Sequence, residues 1–274
     1  MEAVREFGAP GAAERRAAVV RAIGAMRAGL ARPQPLAALA RSALFSPFYF
    51  HRIFHQITGL TPARFLTALR MAEARRLLLQ TGIPVRRIAE QVGYASPGTF
   101  CTQFSRMAGL SPARFRVFVQ GLGFVGGPGF VEGRDEERVA GRSPAGPILA
   151  LSRVPVTGSL VLGRISSTGD QSAEPGKWLV WTLEAGSDIR LVRLPPAPQP
   201  GDYAVLTVAV PLGVRLADAL VDRPGSYLLG RAQMSLTGRD QPTVRVHTAL
   251  RWPESTDPPK LAITPIGRLL PAVA

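Results

Sequence analysis

Five residues with hydrogen-bonding or aromatic side chains lie close together in one short stretch: Phe48, Tyr49, His51, Arg52 and His55. The apolar residues between them, Phe50, Ile53 and Phe54, are spaced like the buried side of a helix, so the five face outward. An arginine can donate two hydrogen bonds to a guanine, a histidine can donate to a base acceptor, and an aromatic ring can contact a thymine methyl. His55, one turn further on, is suited to a phosphate. The stretch therefore predicts a surface that contacts DNA bases.

A second set with the same spacing follows about 50 residues later. It consists of Thr99, Cys101, Thr102 and Arg106, interleaved with the apolar Phe100 and Phe104. These side chains are small except for Arg106, and their threonine methyls can touch a thymine methyl. We expect the first set to read most of the sequence and the second mainly to follow the backbone, whose contacts position a protein without specifying bases.

Other interpretations of these residues remain open at this level. Phe48 and Tyr49 can instead belong to the core. Cys101 can be a redox sensor, although a small packing or groove-facing residue is the commoner case. His51 and His55 have the i, i+4 spacing of a metal pair, but no third ligand type lies near them in the sequence. We therefore predict neither a metal site nor a cofactor.

Both sets lie inside a repeated unit. The heptad Gly-Leu-Thr-Pro-Ala-Arg-Phe at 59–65 returns as Gly-Leu-Ser-Pro-Ala-Arg-Phe at 109–115, and a Ser-Pro pair at 46–47 returns at 96–97. A serine followed by proline is typical of a helix start, and a glycine just past the apolar pattern is typical of a helix end. The repeat predicts two outward-facing helices, at about 46–58 and 96–108.

Shorter helical patterns surround these two helices. They cover about 12–30, 36–43, 62–80 and 85–92, and a final helix begins after Ser111. Gly93 lies in a sharp turn that needs a positive φ. A short helix, a tight turn and a second helix form a helix-turn-helix, so residues 34–118 predict two of them joined by one helix. The pairs Arg75-Arg76 and Arg86-Arg87 are expected on solvated faces.

The positive charge is concentrated in the first part of the chain. The formal net charge is +14, and residues 1–120 contain 17 arginines against five glutamates. Such an excess favours a polyanionic partner. The single cysteine excludes an internal disulfide. No signal peptide and no apolar stretch long enough to span a bilayer are recognisable, so we expect a cytoplasmic protein that does not enter a membrane.

The composition changes after residue 120. Residues 121–147 are rich in glycine and proline and predict a linker. This segment contains a G-x-G-x-x-G match at 121–126, which follows a helix rather than a strand and is interpreted as linker. Seven strand-like segments then lie at about 148–154, 158–165, 178–184, 189–194, 203–210, 226–235 and 243–252. The chain is thus predicted to be an α + β protein of two domains, with an all-α tandem helix-turn-helix domain at 1–120 and an all-β antiparallel sandwich or barrel at 148–274.

The β region offers no catalytic constellation, so an enzyme is not expected. It can bind a small-molecule effector, pair with a second copy of the chain, or contact another protein. Its three tryptophans, Trp178, Trp181 and Trp252, are interpreted as core residues, with an aromatic ligand pocket as the alternative.

One segment also carries a family resemblance. The run Ile-Ala-Glu-Gln-Val-Gly-Tyr at 88–94, the phenylalanines at 100 and 104, and Gly-Leu-Ser-Pro-Ala-Arg-Phe-Arg at 109–116 resemble the signature of AraC/XylS transcription regulators. The first copy departs from it at Leu44, where that family usually has glycine. The resemblance covers about residues 34–118 and implies base contacts at positions 48, 49, 51 and 52. It also implies promoter or operator DNA and RNA polymerase as partners.

These observations together predict a sequence-specific, nucleoid-associated transcription regulator. A joining helix of about 19 residues is roughly 30 Å long, close to one turn of B-DNA, so both helices can enter successive major grooves. The alternative is a non-specific nucleic-acid-binding or adaptor protein whose β domain recruits a protein partner.

Overall fold

Helices account for most of residues 11–122. The computed structural model describes these residues together with 148–152, 160–167, 178–182, 189–193, 201–236 and 245–259. The helices are α1 (Ala12–Ala28), α2 (Leu36–Ser42), α3 (Pro47–Thr58), α4 (Pro62–Gln80), α5 (Val85–Gln91), α6 (Pro97–Ala108) and α7 (Pro112–Gln120). Each was predicted from the sequence, and α1 ends two residues before the predicted end at 30. No helix within the described residues is long and apolar enough to cross a bilayer.

The predicted helix caps are confirmed at three starts and two ends. Ser46, Thr61 and Ser111 each accept a hydrogen bond from the backbone N–H three residues ahead, at 3.4 Å, and each is followed by proline at the first helical position. Gly59 and Gly109 close α3 and α6 with left-handed φ values of 73° and 79°. The hydroxyl satisfies a backbone N–H that has no partner inside the helix, and the glycine adopts a conformation that a side chain would oppose.

A shared apolar core holds α1 to α4 together. Its fully buried members include Val19, Ile23, Met26, Phe50, Phe54 and Phe65. The Phe54 ring meets the Phe65 ring edge-on, with centroids 5.4 Å apart. Helix α4 is buried on most of its circumference, which places it centrally among the helices. Arg75, predicted to be solvated, is therefore only 4% exposed, because it shares a side of α4 with the buried Met71 and Leu78.

The chain divides into two compact units. The first comprises residues 1–101 and 254–260, and the second comprises 102–253 and 261–274, so the boundary falls within α6. In the first unit, residues 254–259 lie against α1. The Arg16 guanidinium forms an ion pair with Glu254 and donates a hydrogen bond to the Thr256 hydroxyl at 3.3 Å.

The second unit contains seven described strands and one short helix. The strands are β1 (Ile148–Ser152), β2 (Leu160–Ser167), β3 (Trp178–Thr182), β4 (Ile189–Arg193), β5 (Gly201–Val210), β6 (Leu228–Leu236) and β7 (Arg245–Ala249). They form a sheet of order β3-β2-β5-β6 and a sheet of order β4-β1-β7. A single bridge between Leu229 and Arg251 connects β6 to the residues that follow β7. The short helix is α8 (Leu216–Leu220), and it contacts α7.

The strand prediction is confirmed at all seven places, and one aspect of the pairing is wrong. The pairs β1–β4, β2–β3, β2–β5 and β5–β6 are antiparallel, as predicted, whereas β1 and β7 run parallel. Strands so far apart in the chain are not joined by a hairpin, so no turn dictates their direction. A closed barrel or two packed sheets stays a prediction.

Two further expectations differ from the structure. Helix α8 was not predicted, because five residues are too few to show a helical period. Trp252 is 51% exposed and is therefore not the core residue that was expected. The predicted linker lies outside the described residues from 123 to 147, as do the side chains of Trp178 and Trp181.

Candidate DNA-binding surface

Helix α3 presents one continuous polar and aromatic face to solvent. The side chains of His51, Arg52 and His55 are exposed, and Phe48 is 82% exposed. The opposite side of α3 is buried through Phe50, Ile53 and Phe54. The interpretation of Phe48 as a core residue is therefore wrong, and the four exposed side chains share the face that the sequence predicted.

Tyr49 lies between the core and this exposed face. Its ring meets Phe45 edge-on with centroids 5.1 Å apart, and it packs against the core cluster while staying partly exposed. The guanidinium carbon of Arg52 lies 5.3 Å from the centroid of the Tyr49 ring. Within the described part of the chain Arg52 makes no side-chain hydrogen bond or ion pair, so all of its donors remain available. The Tyr49 ring thus supports the Arg52 side chain, whose guanidinium has the donor geometry for a bidentate pair with guanine.

The turn before α3 forms without glycine. Leu44 has φ 63° and is 83% exposed, and Gly93 has φ 84° in the corresponding turn of the second module. The backbone N–H groups of Leu44 and Phe45 donate to carbonyls three and five residues back, just as those of Gly93 and Tyr94 do. The departure at Leu44 therefore changes the residue and leaves the turn geometry in place.

The two turns differ in length by one residue. Leu44 and Gly93 are 49 positions apart, whereas the serines that cap the following helices, Ser46 and Ser96, are 50 apart. The additional residue is Ala95, which is exposed between the turn and α6. The two modules are therefore similar in backbone without being superimposable through the turn.

Helix α6 offers a smaller set of groups. Thr99, Thr102 and Arg106 are exposed, and Cys101 is partly buried. The Nη2 of Arg106 donates to Oε1 of Gln103 at 3.0 Å, so its guanidinium is already engaged on its own helix. Gln103 was not predicted to contribute. Arg106 therefore differs from Arg52, whose guanidinium contacts the Tyr49 ring and no hydrogen-bond acceptor among the described residues.

Gln56 is a second residue that the sequence reasoning missed. Its side chain is exposed on α3, one residue beyond His55. A glutamine can bond bidentately to adenine, so it suits this surface. The signal was present in the repeat, since Gln56 lies 50 positions before Arg106, which had been selected on α6.

Three arginines away from α3 and α6 pair with a glutamate on their own helix. Arg76 donates to both carboxylate oxygens of Glu73, at 2.7 and 2.6 Å, and this hydrogen bonding raises the pKa of Arg76. Arg86 and Arg87 both pair with Glu90. In the described ranges no three histidine, cysteine, aspartate or glutamate side chains lie close enough to hold a metal ion.

Known proteins are similar to this chain over the helical region that contains α3 and α6. A family model described as a helix-turn-helix domain matches residues 39–117. An uncharacterized HTH-type transcriptional regulator of Haemophilus influenzae is 43% identical over 81 residues, which is 30% of this chain and 27% of that protein. The transcriptional activator RclR of Escherichia coli, named as RCS-specific, is 38% identical over 84 residues, or 31% of this chain and 30% of that protein.

A third relative is the bifunctional transcriptional activator/DNA repair enzyme AdaA of Bacillus subtilis, 38% identical over 71 residues, or 26% of this chain and 34% of that protein. The chain spans between about a quarter and a third of the length of these three relatives. The similarity therefore identifies a domain, and that domain contains α3 and α6. Residues 39–117 are an AraC-type helix-turn-helix domain.

Proposed function

We propose that the protein is a sequence-specific DNA-binding transcription regulator that inserts α3 and α6 into successive major grooves. The observation that carries the proposal is the exposed face of α3, where Phe48, His51 and Arg52 point to solvent beside a Tyr49 ring that supports the arginine. These are side-chain types that read base edges, on an element of the kind that fits a major groove.

The helix that joins the two modules has the right length for this geometry. Helix α4 has 19 residues, which corresponds to about 28 Å at 1.5 Å per residue. One turn of B-DNA is about 34 Å. We infer that one chain contacts two short DNA sequences, called boxes, on one side of the duplex. Helix α3 contacts most of the bases, and α6 mainly contacts the DNA backbone through Thr99, Thr102 and Arg106.

Selection from a random double-stranded DNA library with the full chain tests this proposal. We expect an enriched motif with two blocks whose centres lie about ten base pairs apart, the better defined block being that of α3. Equal binding of random and enriched DNA would overturn the proposal and favour a non-specific nucleic-acid-binding or adaptor protein. A single enriched block would show that only one of the two helices recognises a base sequence, and the role proposed for α6 would be wrong.

The roles of the other parts follow from this proposal. A DNA-reading regulator acts at the nucleoid in the cytoplasm, needs no catalytic site and influences RNA polymerase at a promoter. The second unit, the β-strand unit since it contains β1 to β7, then binds an effector or pairs with a second copy of the chain. A thermal-shift screen of the full chain against small metabolites, combined with its sedimentation mass, distinguishes these two roles.

A further inference from the structure

One guanidinium in the first unit connects three segments that are far apart in the sequence. Arg70 lies near the middle of α4, and its Nε and Nη2 donate to the carbonyl oxygens of Leu30 and Arg32, both at 3.0 Å. Those carbonyls belong to the loop between α1 and α2. The guanidinium carbon also lies 5.9 Å from the centroid of the Tyr94 ring, in the turn between α5 and α6.

The turn of the second module approaches this contact as closely as its backbone allows. A Cβ added to Gly93 would lie 2.6 Å from the Leu30 carbonyl oxygen and 2.9 Å from Nη2 of Arg70. Real Cβ atoms do not occupy such positions, so only glycine fits here. Arg70 and Gly93 therefore meet at the same carbonyl, and the loop after α1 is packed directly on the second turn.

The loop on the other side of the contact is itself held in place. The Gln34 amide donates to the carbonyls of Gly29 and Met26, at 2.7 and 3.1 Å, and so covers the open end of α1. Because the loop is anchored in this way, its carbonyls cannot move independently of α1. A group that is hydrogen-bonded to these carbonyls is therefore held in place relative to α1. Arg70 thus connects one fixed element to another.

The covalent connection between the modules does not fix their angle alone. Helix α4 sets the separation, but residues 81–84 between α4 and α5 are not helical, and Gly82 has open space around it. A short non-helical connection allows rotation of the helices that follow. A side contact between the modules adds to the packing of α5 on α4 in limiting that rotation.

We propose that Arg70 is a positioning residue that fixes the orientation of the second helix-turn-helix relative to the first, and thereby sets the spacing of the two DNA boxes. This inference rests on the proposed function for its consequence in DNA binding. It assigns to Arg70 no contact with bases, because its donors are directed at the carbonyls of the α1–α2 loop. Loss of the guanidinium should uncouple the modules while leaving each of them folded.

The primary test measures the orientation without DNA. Spin labels are attached at Arg41→Cys on α2 and Arg86→Cys on α5, in a full chain carrying Cys101→Ser. We expect Arg70→Met to broaden the distribution of distances between the labels and Arg70→Lys to broaden it less, because lysine keeps a donor for one carbonyl. Arg76→Met is the control on the same helix, since Arg76 bonds to Glu73 and Gln80 within α4. A distribution as narrow in Arg70→Met as in Arg76→Met would overturn the proposal.

The DNA test separates a failure of positioning from a failure of the proposed function. The probes are the selected two-box duplex, the same duplex with the α6 box scrambled, and two-box duplexes with one base pair added or removed between the boxes. Arg70→Met should lose about tenfold in affinity for the intact two-box probe, lose nothing on the single-box probe, and discriminate less between spacings. Equal losses on the one-box and two-box probes would overturn the positioning role. If wild-type protein enriches no motif, the function proposal fails, and the label distances still decide the role of Arg70.

Discussion

Leu44 and Gly93 adopt the same left-handed backbone at the same point of two successive helix-turn-helix modules, with φ of 63° and 84°. They differ in surroundings, because the Leu44 side chain is 83% exposed whereas a Cβ at Gly93 would collide with a carbonyl oxygen. A left-handed conformation costs a residue with a side chain about 1–2 kcal/mol. The first turn can hold a side chain because Leu44 points to solvent, whereas the second turn has no room for a Cβ.

The exposed turn predicts a stabilising substitution. Leu44→Gly should raise the free energy of unfolding by about 0.5–1 kcal/mol, because relief of the left-handed strain exceeds the entropy that glycine adds to the unfolded chain. Denaturant titration followed by circular dichroism measures it. Leu44→Ala is the matched control, since it removes the side chain and keeps the Cβ. A glycine variant no more stable than the alanine variant would show that the backbone strain is negligible.

The packed turn predicts the opposite effect. Gly93→Ala should lower the free energy of unfolding by about 2 kcal/mol or more, since it adds backbone strain of about 1–2 kcal/mol and a collision with the Leu30 carbonyl. Gly24→Ala is the control, because Gly24 is exposed within α1 with nothing near its missing Cβ. That change should stabilise the helix by about 0.5–1 kcal/mol. Equal effects of the two alanines in the same titration would contradict the packing described for the second turn.

Arg52 should carry a large part of the base discrimination. Arg52→Ala should weaken binding to the selected duplex by about 1–3 kcal/mol and relax the preference at one base pair. Fluorescence anisotropy with duplexes mutated at each position measures both effects. Arg21→Ala removes the same charge from the exposed side of α1 and should leave the sequence preference unchanged. If Arg52→Ala left both the affinity and the sequence preference unchanged, α3 would not be the helix that contacts the discriminating bases.

The arginine-rich first part of the chain predicts a strong dependence on salt. If the protein contacts six to ten phosphates, its affinity should fall by about 10³–10⁵ between 50 and 200 mM salt. Affinities for the selected duplex at four or five salt concentrations give the slope. Arg52→Ala should change affinity more than slope, because a base contact releases few counterions. A flat response would exclude an interface dominated by phosphates.

The β-strand unit contains a pair of buried hydroxyls that predicts a further stabilising change. The hydroxyls of Thr207 and Thr248 are buried with no hydrogen-bond partner among the described residues. Thr207 is paired with Gly230 across β5 and β6, and a Cβ at Gly230 would lie 2.7 Å from the Thr248 hydroxyl. Directly paired residues share a face of the sheet, so both hydroxyls face the same small space.

Thr207→Val should therefore raise the free energy of unfolding by about 1 kcal/mol, since it removes an unpaired buried polar group without changing the volume. Thr58→Val provides the contrast. Thr58 is equally buried, but its hydroxyl donates to the Phe54 carbonyl at 2.8 Å and accepts from the Leu60 N–H at 3.2 Å. Its replacement should destabilise by about 1–3 kcal/mol. Calorimetry of both variants would contradict this account if their shifts had the same sign.

The features that the sequence predicted well depend on local chemistry. Ser46 followed by proline marks a helix start, and Gly59 marks an end, because caps act within one turn of the chain. The outward position of His51 and Arg52 follows from the spacing of three apolar neighbours on α3. The repeat gave further predictions, because residues 50 positions apart occupy equivalent places in the two modules.

The features that were missed depend on contacts between distant segments. Arg75 reads as a charged surface residue, and its burial is decided by the position of α4 among the other helices. The parallel pairing of β1 with β7 joins strands about 100 residues apart, for which no local signal exists. The grouping of Arg70 with Leu30 and Tyr94 could not be predicted for the same reason, although each of these residues lies in an element that was predicted.

The ion pair between Arg16 and Glu254 has a consequence for how the protein is made. These residues are 238 positions apart, and with Thr256 and Asp257 buried nearby they complete the first unit from the far end of the chain. During synthesis the helices emerge first, and the segment that lies against α1 leaves the ribosome only after the strands that precede it. The first unit therefore cannot reach its final form co-translationally before the β-strand region has been made, and a shortened chain ending at residue 120 lacks a piece of its own fold.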